Sequence, residues 1–156
     1  MEKPGSLRAA IEAYLPELKR DPDKLVMWVR DGSVRCTQGP DLGFTIAYRL
    51  SGALVDFTGH PSVVFLAING WLAQNQPELL AALTPGYRFE VDVIDSQTVD
   101  LAFELDLDEV VKVTPREGGG YNLEHPVVIA DLDPALTEPV ATLQQLWWRG
   151  EKLLPE

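Results

Sequence analysis

Carboxylates are the side chains of this sequence with the most obvious chemical potential. Six of them alternate with apolar residues along two neighbouring stretches: Glu90, Asp92, Asp100, Glu104, Asp106 and Asp108. Paired carboxylates act as general acid and base when a cleft separates their pKa values. Carboxylate oxygens also bind Ca²⁺, but calcium sites favour a compact ligand loop. Alternate positions on an open strand face therefore argue against both an enzyme and a calcium site.

Two histidines and one cysteine complete the candidates for acid–base or nucleophilic chemistry. His60 and His125 each precede a proline, and neither has a local acid–nucleophile arrangement around it. Cys36 follows Arg35 on a predicted strand, where a lone cysteine is usually a small buried apolar residue. A single cysteine also excludes an internal disulfide and a multi-cysteine metal site. We therefore expect no catalytic residue, no metal and no cofactor.

The acidic residues leave two interpretations open. Antiparallel sheets commonly expose one face to water, so a solvated face is the simpler interpretation. Like charges that face each other across strands are destabilising, however. The concentration of acidic residues on these two strands therefore suggests a function, either contact with a basic partner or repulsion of polyanions.

Net charge restricts the possible partners. The chain has 24 acidic and 13 basic residues, a formal net charge of −11. We therefore expect no specific binding to nucleic acid or to an anionic membrane. No apolar run reaches the roughly 18 residues of a membrane span, and the first residues lack the apolar core of a signal peptide. These features predict a cytoplasmic protein.

Two helices are predicted from apolar spacing. The central helix begins at Pro61, whose fixed φ suits the first helical position, and ends near Asn75, before Pro77. Its apolar residues recur at helical spacing at Val64, Ile68, Trp71 and Leu72. An N-terminal helix is predicted from Leu7 to Lys19 with Ser6 as N-cap, kinked or ended near Leu15 by Pro16.

Strands are predicted where apolar and polar residues alternate. Leu25–Val29 and Ser33–Thr37 are predicted to form a hairpin around a tight Asp31-Gly32 turn. A strand from Phe44 to Phe57 is predicted to bulge at Ser51-Gly52. The remaining predicted strands are Tyr87–Val93, Val99–Asp108, Val110–Thr114 and Tyr121–Leu123, with Gly118 to Gly120 as a hairpin tip.

These elements predict an α+β fold, a mainly antiparallel sheet packed against the central helix with the N-terminal helix beside it. We expect one domain over residues 1–126 and a C-terminal arm over 127–156 that ends in a short hairpin. Trp147 and Trp148 lie in that hairpin. Adjacent strand residues point to opposite faces, so these rings are either both clamped by the sheet or anchor an interface.

Several stretches, in order, resemble the R-protein family of tail completion proteins from P2-like contractile-tailed phages and prophages. The most specific is WLAQNQPELL, Trp71 to Leu80, joined to LVDFTG upstream and to the acidic strands downstream. The start, Lys3 to Leu25, the segment WVRDGSV and the closing WWRGEKL also fit. Together these stretches extend over nearly the whole chain.

The resemblance implies a structural virion protein without enzymatic activity. It would finish the head-proximal end of the tail and enable head–tail joining, after assembly in the host bacterial cytoplasm. A tail-terminator-like layout implies, by analogy, an oligomeric ring, with six copies as the expected number. Expected partners are further copies of the chain, tail tube and sheath proteins, and the head connector.

Two hypotheses connect the residues with the resemblance. The six acidic residues would line a lumen through which DNA slides, because a negative wall repels phosphate. Trp147 and Trp148 would dock on a neighbouring subunit or on the tube. The alternative is a small acidic binding or inhibitor protein that occupies a basic site on its partner.

Overall fold

The computed structural model describes residues 1–36, 39–126, 147–148 and 151–152. Helices α1 and α2 span Lys3–Tyr14 and Pro61–Asn75. The strands are β1 Leu25–Cys36, β2 Phe44–Phe57, β3 Arg88–Val93, β4 Val99–Pro115, β5 Tyr121–Glu124, β6 Trp147–Trp148 and β7 Glu151–Lys152. Short 3₁₀ turns follow at Pro16–Lys19, Pro22–Lys24 and Pro77–Leu80. The predicted α+β class is confirmed.

The sheet has the order β1-β2-β4-β3, and every neighbouring pair is antiparallel. Strand β5 pairs with the far end of β4, beyond the segment that β2 covers. The two strands predicted before and after Glu109 are one continuous strand, β4. Gly118, Gly119 and Gly120 all have positive φ at the predicted hairpin tip.

Both helices pack on the same face of the sheet. They contribute Leu7 and Ile11 of α1, and Val64, Ile68 and Leu72 of α2, to one buried cluster. The sheet contributes Leu50, Leu54, Leu101, Phe103 and Leu105. Full burial of each such side chain is worth about 1.5–3 kcal/mol. The central helix lies, as predicted, against the middle of the sheet.

The N-terminal helix begins earlier than predicted, at Lys3, with Pro4 in its first turn. Ser6 is therefore not an N-cap. Its hydroxyl accepts a hydrogen bond from the Trp71 indole N–H at 2.8 Å, which joins α1 to α2. The predicted end near Leu15 is confirmed, because Pro16 cannot continue the helix.

The predicted Asp31-Gly32 hairpin is wrong. Strand β1 continues through these residues, and both of them lie opposite Tyr48 of β2 as a bulge, with Asp31 at φ 53°. The left-handed conformation that would favour a tight turn is used here to insert one extra residue. The ladder continues because the long β2 strand supplies partners on both sides of the bulge.

The predicted bulge at Ser51-Gly52 is also wrong, because both residues pair in regular register with Glu104 and Phe103. Gly52 instead accommodates an aromatic ring: a Cβ there would lie 2.2 Å from Cζ of Phe103. The register shift falls between Leu54 and Phe57, and it returns Phe57 to the core.

The predicted C-terminal hairpin is present as backbone pairing of Trp147 with Lys152 and of Trp148 with Glu151. Residues 127–146, the rest of the predicted arm up to this hairpin, lie outside the described residues. The division into a domain and an arm therefore stays a prediction.

Candidate functional site

Five of the predicted acidic side chains, Glu90, Asp92, Asp100, Glu104 and Asp106, share the face of the sheet opposite the helices, called the outer face below. Asp108 follows the same alternation on β4, but its carboxylate binds Gln76 at the end of α2. The acidic residues alternate along β3 and β4 with residues that face the core, such as Leu101 and Phe103. Asp92 and Asp100 lie directly opposite each other on the two strands. The role of these residues as a lumen or partner-facing surface stays a prediction.

Four arginines, Arg30, Arg35, Arg49 and Arg88, lie on the same outer face. Arg30 on β1 binds Glu104, and Arg49 on β2 binds Asp106, each at 2.8 Å. Arg88 on β3 lies opposite Glu104 in the ladder. The centre of the outer face is therefore a mixture of charges and not a continuous negative surface.

The acidic residues that keep an uncompensated charge lie at one end of this face. Glu90 and Asp92 form no ion pair with any residue in the described part of the chain. Asp100 accepts a hydrogen bond from the backbone N–H of Asp56 at 2.9 Å. Asp108 is bound by Gln76 at the other end of the sheet.

A second polar site, called the polar cleft below, lies where both helices meet β4. It encloses about 180 Å³ and is lined by Glu2, Lys3, Ser6, Asn75, Gln76, Glu78, Asp108, Glu109, Val110, His125 and Pro126. The start of α1, the end of α2, β4 and the residues after β5 all contribute to it. The cleft is therefore a junction of four distant chain segments.

Glu109 is the centre of the polar cleft. It faces the core and is only 4% exposed. Its carboxylate accepts hydrogen bonds from the backbone N–H groups of Glu2 at 2.9 Å and Lys3 at 3.4 Å, and from the Tyr48 hydroxyl. The first N–H groups of a helix lack partners within the helix, and a negative charge there is favoured by the helix dipole. Glu109 therefore caps α1 from β4.

The environment of Glu109 favours its charged form. Burial by itself would raise the pKa of this carboxyl group. The hydrogen bonds from Tyr48, Glu2 and Lys3, with the charge of the N-terminal amino group, outweigh burial, so the pKa is lowered from its ordinary value. The same carboxylate raises the pKa of Tyr48, in addition to the larger effect of burial.

A hydrogen-bonded triad joins both helices to β4 beside Glu109. The Lys3 ammonium donates to Oε1 of Gln76 at 2.5 Å and to the carbonyl of Asp108 at 2.7 Å. The Gln76 amide donates to Oδ1 of Asp108 at 2.6 Å. Burial lowers the pKa of Lys3, although nearby Asp108 and Glu109 oppose this effect. Gln76 ends α2, so the triad holds the helix ends in register with the sheet.

His125 also reaches the cleft, with Nδ1 3.5 Å from Oε2 of Glu109. This nitrogen is buried and has no hydrogen-bond partner among the described residues.

His60 behaves as a capping residue, since its Nδ1 accepts the backbone N–H of Ser62 at 3.2 Å. Cys36 is exposed, so the expectation that it is buried is wrong; it is the last residue of β1, an edge strand of the described sheet.

Sequence reasoning missed Glu109 because it continues an acidic run after Asp106 and Asp108. The available signal was its position: it occupies the place in the alternation that Leu105 and Leu107 occupy before it. In the described ranges, no three His, Cys, Asp or Glu side chains are grouped to hold a metal ion. The Glu109 carboxylate oxygens accept hydrogen bonds from Glu2, Lys3 and Tyr48 of the same chain. The polar cleft therefore joins segments of the protein to each other.

Trp147 and Trp148 are placed on β6 by their backbone only. Their side chains are outside what the structure describes. Their role as interface anchors therefore stays a prediction.

The fold and the cleft define an α+β protein with one helix-covered face, an outer face that no described element covers, and polar residues that join its own segments. The chain belongs to the P2 phage tail completion protein R (GpR) family, whose profile matches residues 1–128. It is 30% identical over 154 residues to Tail completion protein R of Escherichia phage P2, across 97% of this chain and 96% of that protein. No solved structure matches it significantly. The resemblance found in the sequence is confirmed.

Proposed function

We propose that this protein completes the head-proximal end of a phage tail as an oligomeric ring and makes that end competent to join a filled head. Family membership across nearly the whole chain carries the proposal. The family is structural and is not a class of enzyme. The same membership favours this role over the alternative of a small acidic inhibitor.

The expected partners follow from the position of such a ring. Each copy would contact further copies, with six as the expected number, and the ring would contact tail tube or sheath proteins and the head connector. No helix among the described residues is long and apolar enough to cross a bilayer. Assembly is proposed in the host bacterial cytoplasm, and the finished protein would be a component of the virion tail.

The outer face is proposed to face the lumen of the ring. Its five acidic residues outnumber its four arginines, and those without an ion pair to a described residue are Glu90, Asp92 and Asp100. Asp108, at the other end of the sheet, is proposed to belong to the same acidic surface. A wall with net negative charge repels the phosphates of DNA that slides past it. The arginines reduce this repulsion at the centre of the face, so the balance of charge there is the quantity to test.

Purified tails that lack their own end cap provide the direct test of tail completion. Light scattering after size exclusion, on the protein alone and mixed with such tails, should show a ring-sized species or co-migration with tails. Addition of filled heads should then yield joined particles only when the protein is present. A monomer that neither binds tails nor supports joining would overturn the proposal.

A further inference from the structure

Strands β1 and β3 are the two edges of the sheet. In the described part of the chain no strand pairs with the outer side of either one. An open edge presents unpaired backbone N–H and C=O groups that pair readily with another strand. The edges are 12 and 6 residues long, and the structure contains no proline within either of them.

The direction of these edges permits head-to-tail continuation of the sheet. Each of the three neighbouring pairs is antiparallel, so β1 and β3 run in opposite directions. Rotation about an axis parallel to the strands leaves their directions unchanged. Strand β3 of one copy placed beside β1 of the next is therefore antiparallel, like every pair within the subunit.

Apolar side chains are exposed along both edges. On the helix side of the sheet, Val29 and Val34 of β1 are 38% and 63% exposed, and Phe89 and Val93 of β3 are 59% and 74% exposed. Val26 and Trp28 of β1 are exposed on the outer face. The centroid of the Phe89 ring lies 4.8 Å from that of Phe65 on α2. The apolar side of the sheet therefore extends to the β3 edge, where Phe89 remains exposed. Scattered exposed apolar residues are normal, but a row along an open edge is a pairing surface.

Charges on the outer face distinguish the possible pairings. The β3 edge carries Glu90 and Asp92 with one cation, Arg88, and has a net negative charge. The β1 edge carries Arg30 and Arg35 with one anion, Asp31, and has a net positive charge; Arg35 has no ion pair with a described residue. Pairing of β3 with β1 brings opposite charges together. Pairing of either edge with its own copy would bring together net charges of the same sign, which disfavours a two-fold dimer.

We propose that β3 of one copy pairs with β1 of the next, so that one sheet continues from subunit to subunit around the ring. This inference rests on the ring of the proposed function and names the surface that forms it. The contact is head-to-tail, so each subunit uses both edges and a closed ring leaves neither edge open.

Two variants, each blocking one edge, test this contact. Val26→Glu places a carboxylate on β1 where the neighbour contributes Glu90 and Asp92, and Val93→Glu places one in the apolar strip of β3. Ala13→Glu, an exposed position of α1, adds the same charge away from the sheet as a control. Each edge variant should lose the ring or cap tails at least about tenfold more weakly, while the control resembles wild type.

Mixing the two edge variants gives the decisive result. Each retains one intact edge, so the mixture should form a one-to-one dimer by light scattering and grow no further. Wild-type-like rings from either variant would overturn the inference while leaving tail completion intact. Dimerisation of one variant alone would also overturn it, in favour of two-fold pairing. A wild-type protein that caps no tails would overturn both proposals.

Discussion

The carboxylate of Glu109 accepts the backbone N–H of Glu2 from 107 residues away and so caps the first helix from the middle of the longest strand. No side chain at the start of α1 supplies this cap. The contact fixes the N-terminal helix on the sheet, and with Tyr48 and His125 it makes Glu109 the residue on which the polar cleft depends.

Glu109→Gln should therefore destabilise the protein. The amide keeps the size of the side chain, but it loses the charge that the helix N-terminus and the Tyr48 hydroxyl favour. We expect a loss of about 1–3 kcal/mol in the free energy of unfolding, measured by urea titration. Glu117→Gln, at the exposed hairpin tip, is the control. Equal stability of the two variants would contradict the capping role.

The stability contributed by Glu109 should also depend on pH. Its folded-state pKa is lowered from 4.5, so the unfolded chain binds the proton more readily than the folded one. The contribution is present above the unfolded value and is lost as pH falls through the folded value. The difference in the free energy of unfolding between wild type and Glu109→Gln should therefore disappear only in acid, as the pH falls through the folded-state pKa of Glu109. Tyr48→Phe removes a hydrogen bond to the carboxylate and should move that loss to higher pH; an unchanged profile would count against the assignment.

Two glycines should respond in opposite directions to alanine. Gly52→Ala places a Cβ 2.2 Å from the Phe103 ring, and we expect a loss of about 1–3 kcal/mol from overpacking. Gly5→Ala, within α1 and with open space around it, should instead stabilise by about 0.5–1 kcal/mol. Thermal unfolding measures both effects. Phe103→Leu should relieve the first, and failure of this rescue would show that the ring is not the cause.

Charge on the outer face should control passage of DNA. Glu104→Gln with Asp106→Asn removes the carboxylate that binds Arg30 and the closer of the two that bind Arg49, which keeps Asp31 at 3.8 Å. Both guanidinium groups then become more available to phosphate. Because exposed ion pairs contribute little to stability, folding and ring formation should persist. DNA ejection from virions should slow, whereas Arg30→Gln with Arg49→Gln should leave it normal. Normal ejection from the first variant would exclude a lumenal role.

The tryptophan pair should matter for binding and not for the fold of residues 1–126. Trp147→Ala with Trp148→Ala, or deletion of Val140 to Glu156, should abolish ring formation or tail binding, because buried tryptophans often dominate interfaces. Circular dichroism should show the sheet and both helices retained. A truncated protein that still caps tails would eliminate the arm as an anchor.

Local patterns in the sequence were sufficient to predict much of the secondary structure of this protein and to recognise its family. Helical spacing with Pro61 and Pro77 predicted the start of α2 at Pro61 and its end near Asn75, because proline geometry acts on its immediate neighbours. Strict alternation predicted β3 and the first half of β4. The order of short stretches was enough to recognise the family.

Only the tertiary structure decided what distant residues do to each other. Asp31-Gly32 is a bulge because β2 pairs with β1 on both sides of it. The turn propensity of these two residues contains no information about that distant strand. Arg30 neutralises Glu104 because the register of three strands brings them together. Glu109 is a helix cap because the N–H groups that need it come from the other end of the chain. Periodicity and proline geometry are local and readable in sequence, whereas register, burial and charge compensation arise from pairing between distant segments.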